Sequence, residues 1–567
     1  SGVIADGIGF TADFSTEPIS ADRTVTLDSS RNIGALKFGD PGGANNWIIT
    51  NSAGSTLTLN DNASSPPITI TDTATLALPV AGTSGFTKSG IGTLILSGNN
   101  PLSGIVFLDS NSTSANDGAV RVMSSAALAN VNGLVIRNNT GANAASTLQL
   151  DGTAANLAVA QAFTNSCRAN LIPNLENLAG SNVFSGNIYM QTGGSNVVIT
   201  SDSGTLALTG ALQYIGNLTS ARYFNFFGNG DFNVSGSILF SSIAPIGIGK
   251  YGSGTLFLSS ANGFTNTINL LGGTINFSAL NNLSSAPLNF GGGTLQFAPG
   301  NSSDISGRVV TIAAGGGTID TGTNTVTLAG GLGNRGLGTL IKTGSGTLIL
   351  AGTNTYRGGT VVNAGTLAGT GILSNAVTVL AGGTLSPGAS LGNLTISGTL
   401  TNSGTLAVAL NKTGSILTNS TIKGLSSLAY GGTLQLNLSG NALAPGDSFK
   451  LFFSTNYFGA FVNIIPAVPG PGLAWNTNNL TNGTISVIAN PSPRFTGAAA
   501  ANGKIIFTGS GGYSGGGYSV LANTNVAAPV TGWAVIETST FDNFGNFANT
   551  NPVFPGTNEL FFRIRVP

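Results

Sequence analysis

Histidine is absent from this chain of 567 residues, and cysteine occurs only once, at position 167. Without histidine the chain lacks the commonest general base, the commonest metal ligand and the side chain that titrates near neutral pH. A single cysteine excludes an internal disulfide. Cys167 could be a reactive thiol or a link between two chains, but structural cysteines usually pack as inert small side chains, and we expect that here.

Charge is also scarce. Charged residues make up only 7% of the chain, and 20 basic side chains balance 20 acidic ones. A neutral surface offers no electrostatic attraction to nucleic acid or anionic lipid, so neither is expected as a partner. Little mutual repulsion remains, which permits copies of the chain to associate. The sequence contains no run of eighteen apolar residues, so it predicts no membrane-spanning helix.

Carboxylates are sparse and scattered. The glutamates are Glu17, Glu176, Glu537 and Glu559, and the aspartates form no local cluster. A glycosidase needs two neighbouring carboxylates, and a calcium-dependent lyase needs clustered aspartates with a basic residue. We therefore predict a protein that is not an enzyme and that holds no metal or other cofactor. Residues distant in sequence could still meet on one face of a repeat structure, and that alternative stays open.

Glycine, by contrast, supplies 84 residues, many of them in a phrase that appears three times. The phrase is Lys-x-Gly-x-Gly-Thr-Leu-x-Leu, at residues 88–96, 250–258 and 342–350. Shorter Gly-Thr copies, each followed by an apolar residue, begin at positions 273, 293, 317, 359, 383 and 432. Each copy combines a glycine turn with a short alternating strand. A period of about twenty residues predicts a stacked β-solenoid with one turn per repeat.

Alternation within these strands assigns one set of apolar side chains to the interior. The set is Leu94, Leu96, Leu256, Leu258, Ile275, Phe277, Leu295, Phe297, Leu348 and Leu350. Stacking of successive turns would align these side chains into interior ladders. We therefore predict an all-β fold, an elongated right-handed β-solenoid with almost no helix.

The predicted domains follow from where the phrase begins and ends. Residues 1–85 contain short strands without the full phrase and are predicted to form an N-terminal β region or cap, and residues 86–410 form the solenoid repeats. Residues 411–489 contain less glycine and more aromatic residues, which indicates a strand layer that caps the solenoid. After a Pro-rich linker, residues 490–567 have the length and strand spacing of a small immunoglobulin- or fibronectin-like β-sandwich.

The phrase at residues 342–350, together with residues 351–367 that follow it, resembles the autotransporter-associated β-strand repeat. The opening residues 3–40 and the tail at residues 518–563 also resemble segments of proteins that carry this repeat. Such proteins are exported to the bacterial cell surface or secreted. The resemblance implies an extracellular or cell-surface location after removal of a leader, and it implies no shared catalytic motif.

Two functions fit these observations. The first is a structural protein, a self-assembling subunit of a bacterial surface filament or coat, whose copies meet end to end by β-augmentation. Its partner would be the chain itself. The alternative is an adhesin or passenger that binds extracellular polysaccharide and uses the solenoid as a stalk. The aromatic run at residues 222–227 could stack on sugars, although core packing is the favoured interpretation.

Overall fold

The computed structural model describes residues 5–52, 54–62, 64–110, 116–137, 144–167, 171–191, 196–388, 390–470, 473–490, 492–512, 515–552 and 559–566. The chain is all-β, with 2% helix, and it is wound as a parallel β-solenoid of about 17 turns. It divides into two compact units, Ser1–Gly383 and Thr384–Pro567. No helix in the described ranges is both long enough and apolar enough to cross a membrane.

The first unit consists of short parallel strands stacked turn upon turn, which we group into ladders A to E. Ladder A contains Leu212–Tyr214, Ile188–Met190, Phe163–Asn165, Gly133–Arg137, Ile105–Asp109, Phe86–Ser89, Pro67–Ile70, Arg31–Phe38, Leu57–Leu59 and Val80–Ala81, with Gly7–Phe14 beside Arg31–Phe38. Ladder B contains Arg23–Leu27, Trp47–Asn51, Thr73–Leu76, Thr93–Leu96, Asn116–Val122, Ala145–Asp151, Leu175–Ala179, Val197–Ser201, Arg222–Phe227, Ile246–Lys250, Ile268–Leu270, Leu288–Phe290 and Val310–Ile312.

Ladders C, D and E contain strands from the middle and later turns of this unit. Ladder C contains Ala158–Val159, Ser181–Phe184, Thr205–Leu208, Asp231–Val234, Thr255–Leu258, Thr274–Phe277, Thr294–Phe297, Gly317–Asp320, Leu340–Thr343, Thr360–Val362 and Val377–Val379. Ladder D contains Thr325–Leu328, Thr347–Leu350 and Gly365–Gly369, and ladder E contains Thr353–Asn354 and Ile372–Leu373. One 3₁₀ helix, Leu280–Leu283, lies between two of these strands.

The second unit begins with parallel ladders and ends with antiparallel sheets. Ladder F contains Gly383–Pro387, Thr405–Thr413, Thr433–Gly440 and Asn463–Ile465, with Ile416–Asn419 antiparallel to Thr405–Thr413. Ladder G contains Asn393–Ile396, Thr421–Leu425 and Phe452–Ser454, and ladder H contains Thr399–Asn402, Ser427–Ala429 and Tyr457–Phe458. Sheet I contains Ser448–Lys450, Thr484–Ala489 and Leu473–Asn476, and the 3₁₀ helices are Asn478–Asn482 and Val530–Gly532.

Residues 494–565 form two further antiparallel sheets. Sheet J contains Arg494–Ala501, Lys504–Ser510 and Phe547–Pro552, and sheet K contains Ala534–Thr540, Gly517–Asn523 and Phe561–Arg565. Aromatic side chains from both sheets share one core, in which Phe547 packs 5.1 Å from the ring of Tyr518. Two sheets that pack face to face form a small sandwich. Its relation to the immunoglobulin or fibronectin type stays a prediction.

Register explains why the repeat phrase stacks. Leu256 pairs with Ile275, Ile275 with Leu295, and Leu295 with Ile319, each one turn further along ladder C. Because side chains alternate along a strand, every second residue of each turn faces the same interior. The phrase therefore places like residues side by side, and the core is a continuous stack of aliphatic and aromatic side chains.

Glycine is required where two turns approach closely. Gly273 has a φ of +56°, and a Cβ built there would lie 2.4 Å from the Gly254 carbonyl oxygen and 2.6 Å from the Lys250 Nζ. The left-handed backbone and the close neighbours both exclude a side chain. The glycine of this turn thus makes room for its neighbour in the preceding turn.

The predicted domain boundaries at 85 and 410 stay predictions. Parallel pairing joins Pro67–Ile70 to Phe86–Ser89, and it joins Thr405–Thr413 to Thr433–Gly440. The parallel winding therefore includes strands on both sides of each boundary. The predicted right-handed sense of the winding also stays a prediction.

Candidate functional site

The ten predicted interior residues are all buried, none with more than 1% of its surface exposed. They do not form one ladder. Leu94 and Leu96 lie in ladder B, and Leu348 and Leu350 lie in ladder D. The other six stack directly on one another in ladder C, as two columns: Leu256, Ile275 and Leu295, and Leu258, Phe277 and Phe297. The phrase thus serves different ladders in different turns.

The lysine that opens the phrase is also inside. Lys342 lies two residues after buried Leu340 and is itself fully buried. Its Nζ donates to the carbonyl oxygens of Thr343 at 2.6 Å and Gly344 at 2.9 Å. It also donates, at 3.2 Å, to the carbonyl oxygen of Ala364 in the next turn. The ammonium therefore links the corners of two successive turns through hydrogen bonds to their carbonyl oxygens.

In the other two copies the lysine also donates to turn carbonyls, and for Lys88 one of them lies in the next turn. Lys88 Nζ donates to the Gly90 carbonyl of its own turn and, at 2.7 Å, to the Asp117 carbonyl of the next turn. Lys250 Nζ donates to the carbonyls of Tyr251 at 2.5 Å and Gly252 at 3.2 Å. Both lysines are fully buried. The lysine of the phrase is therefore a structural donor to backbone carbonyls of the turns.

Two asparagines do the same in turns without the phrase. Asn402 Nδ2 donates to the Gly404 carbonyl of its own turn at 3.5 Å and to the Gly431 carbonyl of the next turn at 2.6 Å. Asn177 Nδ2 donates to the Gly180 carbonyl at 3.3 Å and to the Ser203 carbonyl at 3.0 Å. We name these five side chains the corner donors: Lys88, Asn177, Lys250, Lys342 and Asn402.

Burial changes the protonation of the lysine corner donors. Desolvation lowers the pKa of the Lys88 ammonium from 10.5 to about 7. The same cause lowers the pKa of Lys250 and that of Lys342 to about 8. The negative charges of Asp117, Asp231 and Asp320, beside Lys88, Lys250 and Lys342 respectively, favour the charged form and oppose the shift. The corners thus hold ammonium groups whose charge depends on the folded structure.

The segments of the chain that match a known repeat family contain the lysine corner donors. The profile of the passenger-associated-transport-repeat matches residues 86–122, 249–276 and 340–368, and each segment contains one lysine corner donor. The chain therefore contains three segments that match this repeat. The chain is also 34% identical over 188 residues to an adhesin autotransporter, BmaC, of Brucella suis biovar 1 strain 1330. That match covers 31% of this chain but only 5% of the length of the adhesin.

The role of the repeat lysines was not predicted, although the sequence contains a signal for it. Each lysine follows an interior apolar residue by two positions, as Lys342 follows Leu340. That parity assigns the lysine to the interior. The acceptor in the next turn lies 22 residues from Lys342 and 29 residues from Lys88. It is brought near by the stacking of turns, which short-range patterns do not contain.

The single cysteine of this repeat protein is inside the solenoid. Cys167 is fully buried, its Sγ lies 2.7 Å from the Asn165 side-chain oxygen, and Asn174 Nδ2 donates to it at 3.1 Å. Burial raises the pKa of the thiol to about 12. A neutral, enclosed thiol has little nucleophilic character.

The aromatic run at residues 222–227 is divided between core and surface. Phe224 and Phe226 are fully buried. Phe227 lies partly exposed on the outer side and stacks on Tyr251 of the next turn, with ring centroids 4.2 Å apart and an interplanar angle of 1°. Tyr223 is also partly exposed. Core packing therefore accounts for two of the rings, and a small outer aromatic group remains.

One of the four glutamates, Glu176, belongs to a row of polar contacts. Gln149 donates to Glu176 at 2.7 Å and accepts from Arg121 Nε at 3.0 Å, which forms a row across three turns of ladder B. Burial raises the pKa of Glu176. Within the described ranges, no group of three or more Asp, Glu or Cys side chains is placed to hold a metal ion.

The first turn of the solenoid has open strand edges. Gly7–Phe14 pairs only with Arg31–Phe38, and Arg23–Leu27 pairs only with Trp47–Asn51, among the strands that the structure describes. Near this edge Ile8 is 50% exposed and Phe10 is 54% exposed. Unpaired strand edges beside exposed apolar side chains are typical of sites that accept another strand.

Proposed function

We propose that this chain is a structural passenger segment of a bacterial secreted or cell-surface protein. The lysine corners carry this proposal. The three copies of the phrase share one charged side chain, the lysine. In each copy its ammonium donates hydrogen bonds to turn carbonyls inside the solenoid. When the charged residue that the copies share makes an internal contact, the repeat favours a scaffold, because the residues on the outer face are then free to vary. The passenger repeat supports a location outside the cell.

We further propose that the chain has no hydrolase or lyase activity. Its carboxylates are sparse, and Glu176 is engaged in a polar row. Incubating the purified protein with acidic and neutral polysaccharides, with calcium present, tests this. The substrates should keep their size on gel filtration. Product formation that is lost on replacing one Asp or Glu would show that a site assembled from distant turns has been overlooked.

The finer proposal is self-assembly into a surface filament or coat, through strand addition at chain ends. The open edges of Gly7–Phe14 and Arg23–Leu27 support it, since β-augmentation adds a strand through backbone hydrogen bonds. Sedimentation velocity over a concentration series should show association, and electron microscopy should show regular polymers. Deleting residues 1–22 should abolish them. Polymers that persist unchanged in this variant would contradict the role of the N-terminal edge.

A second candidate is an adhesin-like passenger that holds extracellular polysaccharide. Two observations favour it: the similarity to an adhesin autotransporter, and the outer aromatic group of Tyr223, Phe227 and Tyr251. Aromatic side chains with a polar tip suit surfaces that are partly apolar and partly wet. Glycan-array binding by separate particles would favour this function, whereas regular polymers without glycan binding would favour the first.

A further inference from the structure

We propose that the acidic first turn of one copy pairs with the basic edge strand Phe561–Arg565 of a second copy. This inference rests on the proposed self-association and names the two surfaces that meet. Each surface provides an open backbone edge, and the two carry charge of opposite sign. The occupant of the first turn is therefore a strand from another copy of this chain.

The first turn provides the acidic surface. Its outer strands, Gly7–Phe14 and Arg23–Leu27, each have one edge that pairs with no other described strand. Core side chains of this turn are also incompletely covered, since Phe14, Val25 and Leu27 are only half-buried. A concavity of about 450 Å³ lies between these strands. Among the described strands, none pairs with the outer edges of this turn.

Charge on this surface is negative. Residues 5–38 contain three basic side chains, Arg23, Arg31 and Lys37, against five exposed carboxylates: Asp6, Asp13, Glu17, Asp22 and Asp28. Arg31 pairs with Asp6 at 3.3 Å and with Asp28 at 2.5 Å, and Lys37 pairs with Asp13 at 3.6 Å, which leaves a surplus of two negative charges. Hydrogen bonds lower the pKa of Asp6, Asp13 and Asp28, so these groups remain ionised at neutral pH. A basic strand would offset the surplus.

The edge strand Phe561–Arg565 has the complementary properties. It pairs on one side with Gly517–Asn523, and no described strand pairs with its other side. Phe562 and Ile564 pack against the sandwich core, which leaves Arg563 and Arg565 exposed. The strand therefore presents a free backbone edge and two guanidinium groups, whose five donors each suit carboxylates.

The other sandwich edges fit the first turn less well. Ala534–Thr540 carries Glu537, which would repel an acidic partner. Phe547–Pro552 carries no charge and ends in a proline that cannot donate to a ladder. Arg494–Ala501 has a single arginine followed by a run of small residues. Charge complementarity therefore selects Phe561–Arg565 among the edges.

Charge reversal in this 567-residue chain tests the pairing. We expect Arg563→Glu with Arg565→Glu to weaken self-association at least tenfold, measured as the dissociation constant from sedimentation velocity. Adding Glu17→Lys and Asp28→Lys to that variant should restore it, because the signs are again opposite. Wild-type association should also weaken in 0.5 M salt, since exposed charges are screened.

The matched control is Arg494→Glu with Lys504→Glu, which makes the same charge change on the other sheet of the sandwich and should leave association unchanged. Circular dichroism and thermal unfolding verify that each variant folds. If the wild type associates and the Arg563→Glu, Arg565→Glu variant associates equally well, this pairing is wrong and another contact between copies operates. If the wild type stays monomeric at high concentration, the proposed self-association fails as well.

Discussion

Replacing Lys342 by methionine would keep the length of the side chain and remove the donor from three turn carbonyls. Those carbonyls belong to Thr343, Gly344 and Ala364, at 2.6, 2.9 and 3.2 Å from Nζ. The Thr343 carbonyl also accepts from the Thr321 backbone N–H at 3.3 Å, so the loss concerns mainly the Gly344 and Ala364 carbonyls. A buried carbonyl left without its partner costs about 1–3 kcal/mol. Removing a buried charge offsets part of that loss. We expect the free energy of opening of this turn and its neighbours to fall by about 2–3 kcal/mol.

Hydrogen exchange followed by mass spectrometry measures the free energy of opening of individual turns. Peptides from residues 340–368 of the variant should exchange faster, while peptides from distant turns should keep their protection, because each turn contacts mainly its neighbours. The control is Lys504→Met, which alters an exposed lysine and should change stability by less than about 0.5 kcal/mol. Equal protection of residues 340–368 in wild type and the Lys342→Met variant would refute the donor role of Lys342.

The difference in stability between wild type and the Lys342→Met variant should depend on pH. The folded-state pKa of Lys342 is lowered to about 8, below its ordinary value of 10.5. Between these values the unfolded chain holds the proton that the folded chain has released, so stability from this group rises with pH. The advantage of wild type over Lys342→Met should therefore grow from pH 8 to pH 10. A constant difference would mean that the carbonyls keep the ammonium charged throughout.

Four further outcomes are expected. Gly273→Ala should destabilise the protein by at least about 3 kcal/mol, whereas Gly300→Ala should cost only about 1 kcal/mol in urea unfolding, because both have positive φ but Gly300 has nothing within 4 Å. Leu295→Ala should cost about 2–5 kcal/mol, because it opens a cavity between stacked aliphatic side chains; a loss below about 1 kcal/mol would contradict the interior ladder. Cys167 should resist iodoacetamide at pH 8 in the folded protein and react fully in urea, as read by mass spectrometry. Glu176→Gln should stabilise the protein at pH 7, because burial raises the folded-state pKa, and the gain should vanish below pH 4.5; a gain that persists in acid would point to another cause.

The sequence by itself determined the repeat and its interior. Alternation along a strand and the spacing of the glycine turns are local properties, so they predicted that Leu256, Ile275 and Leu295 face inward, and all three are buried. The parallel β-solenoid follows from the same pattern, because a strand that buries one face every twenty residues or so can complete its core only by stacking on its neighbours.

Tertiary structure decided what depends on neighbouring turns. The acceptor that Lys342 finds at Ala364 belongs to the next turn, and whether a leucine of the phrase joins ladder B, C or D depends on how the winding shifts along the chain. Among the described strands, Gly7–Phe14 pairs with Arg31–Phe38 along one edge, and which edge stays unpaired likewise depends on how the strands stack. These features arise from contacts between residues distant in sequence, and a local pattern of apolar and polar residues contains no record of them.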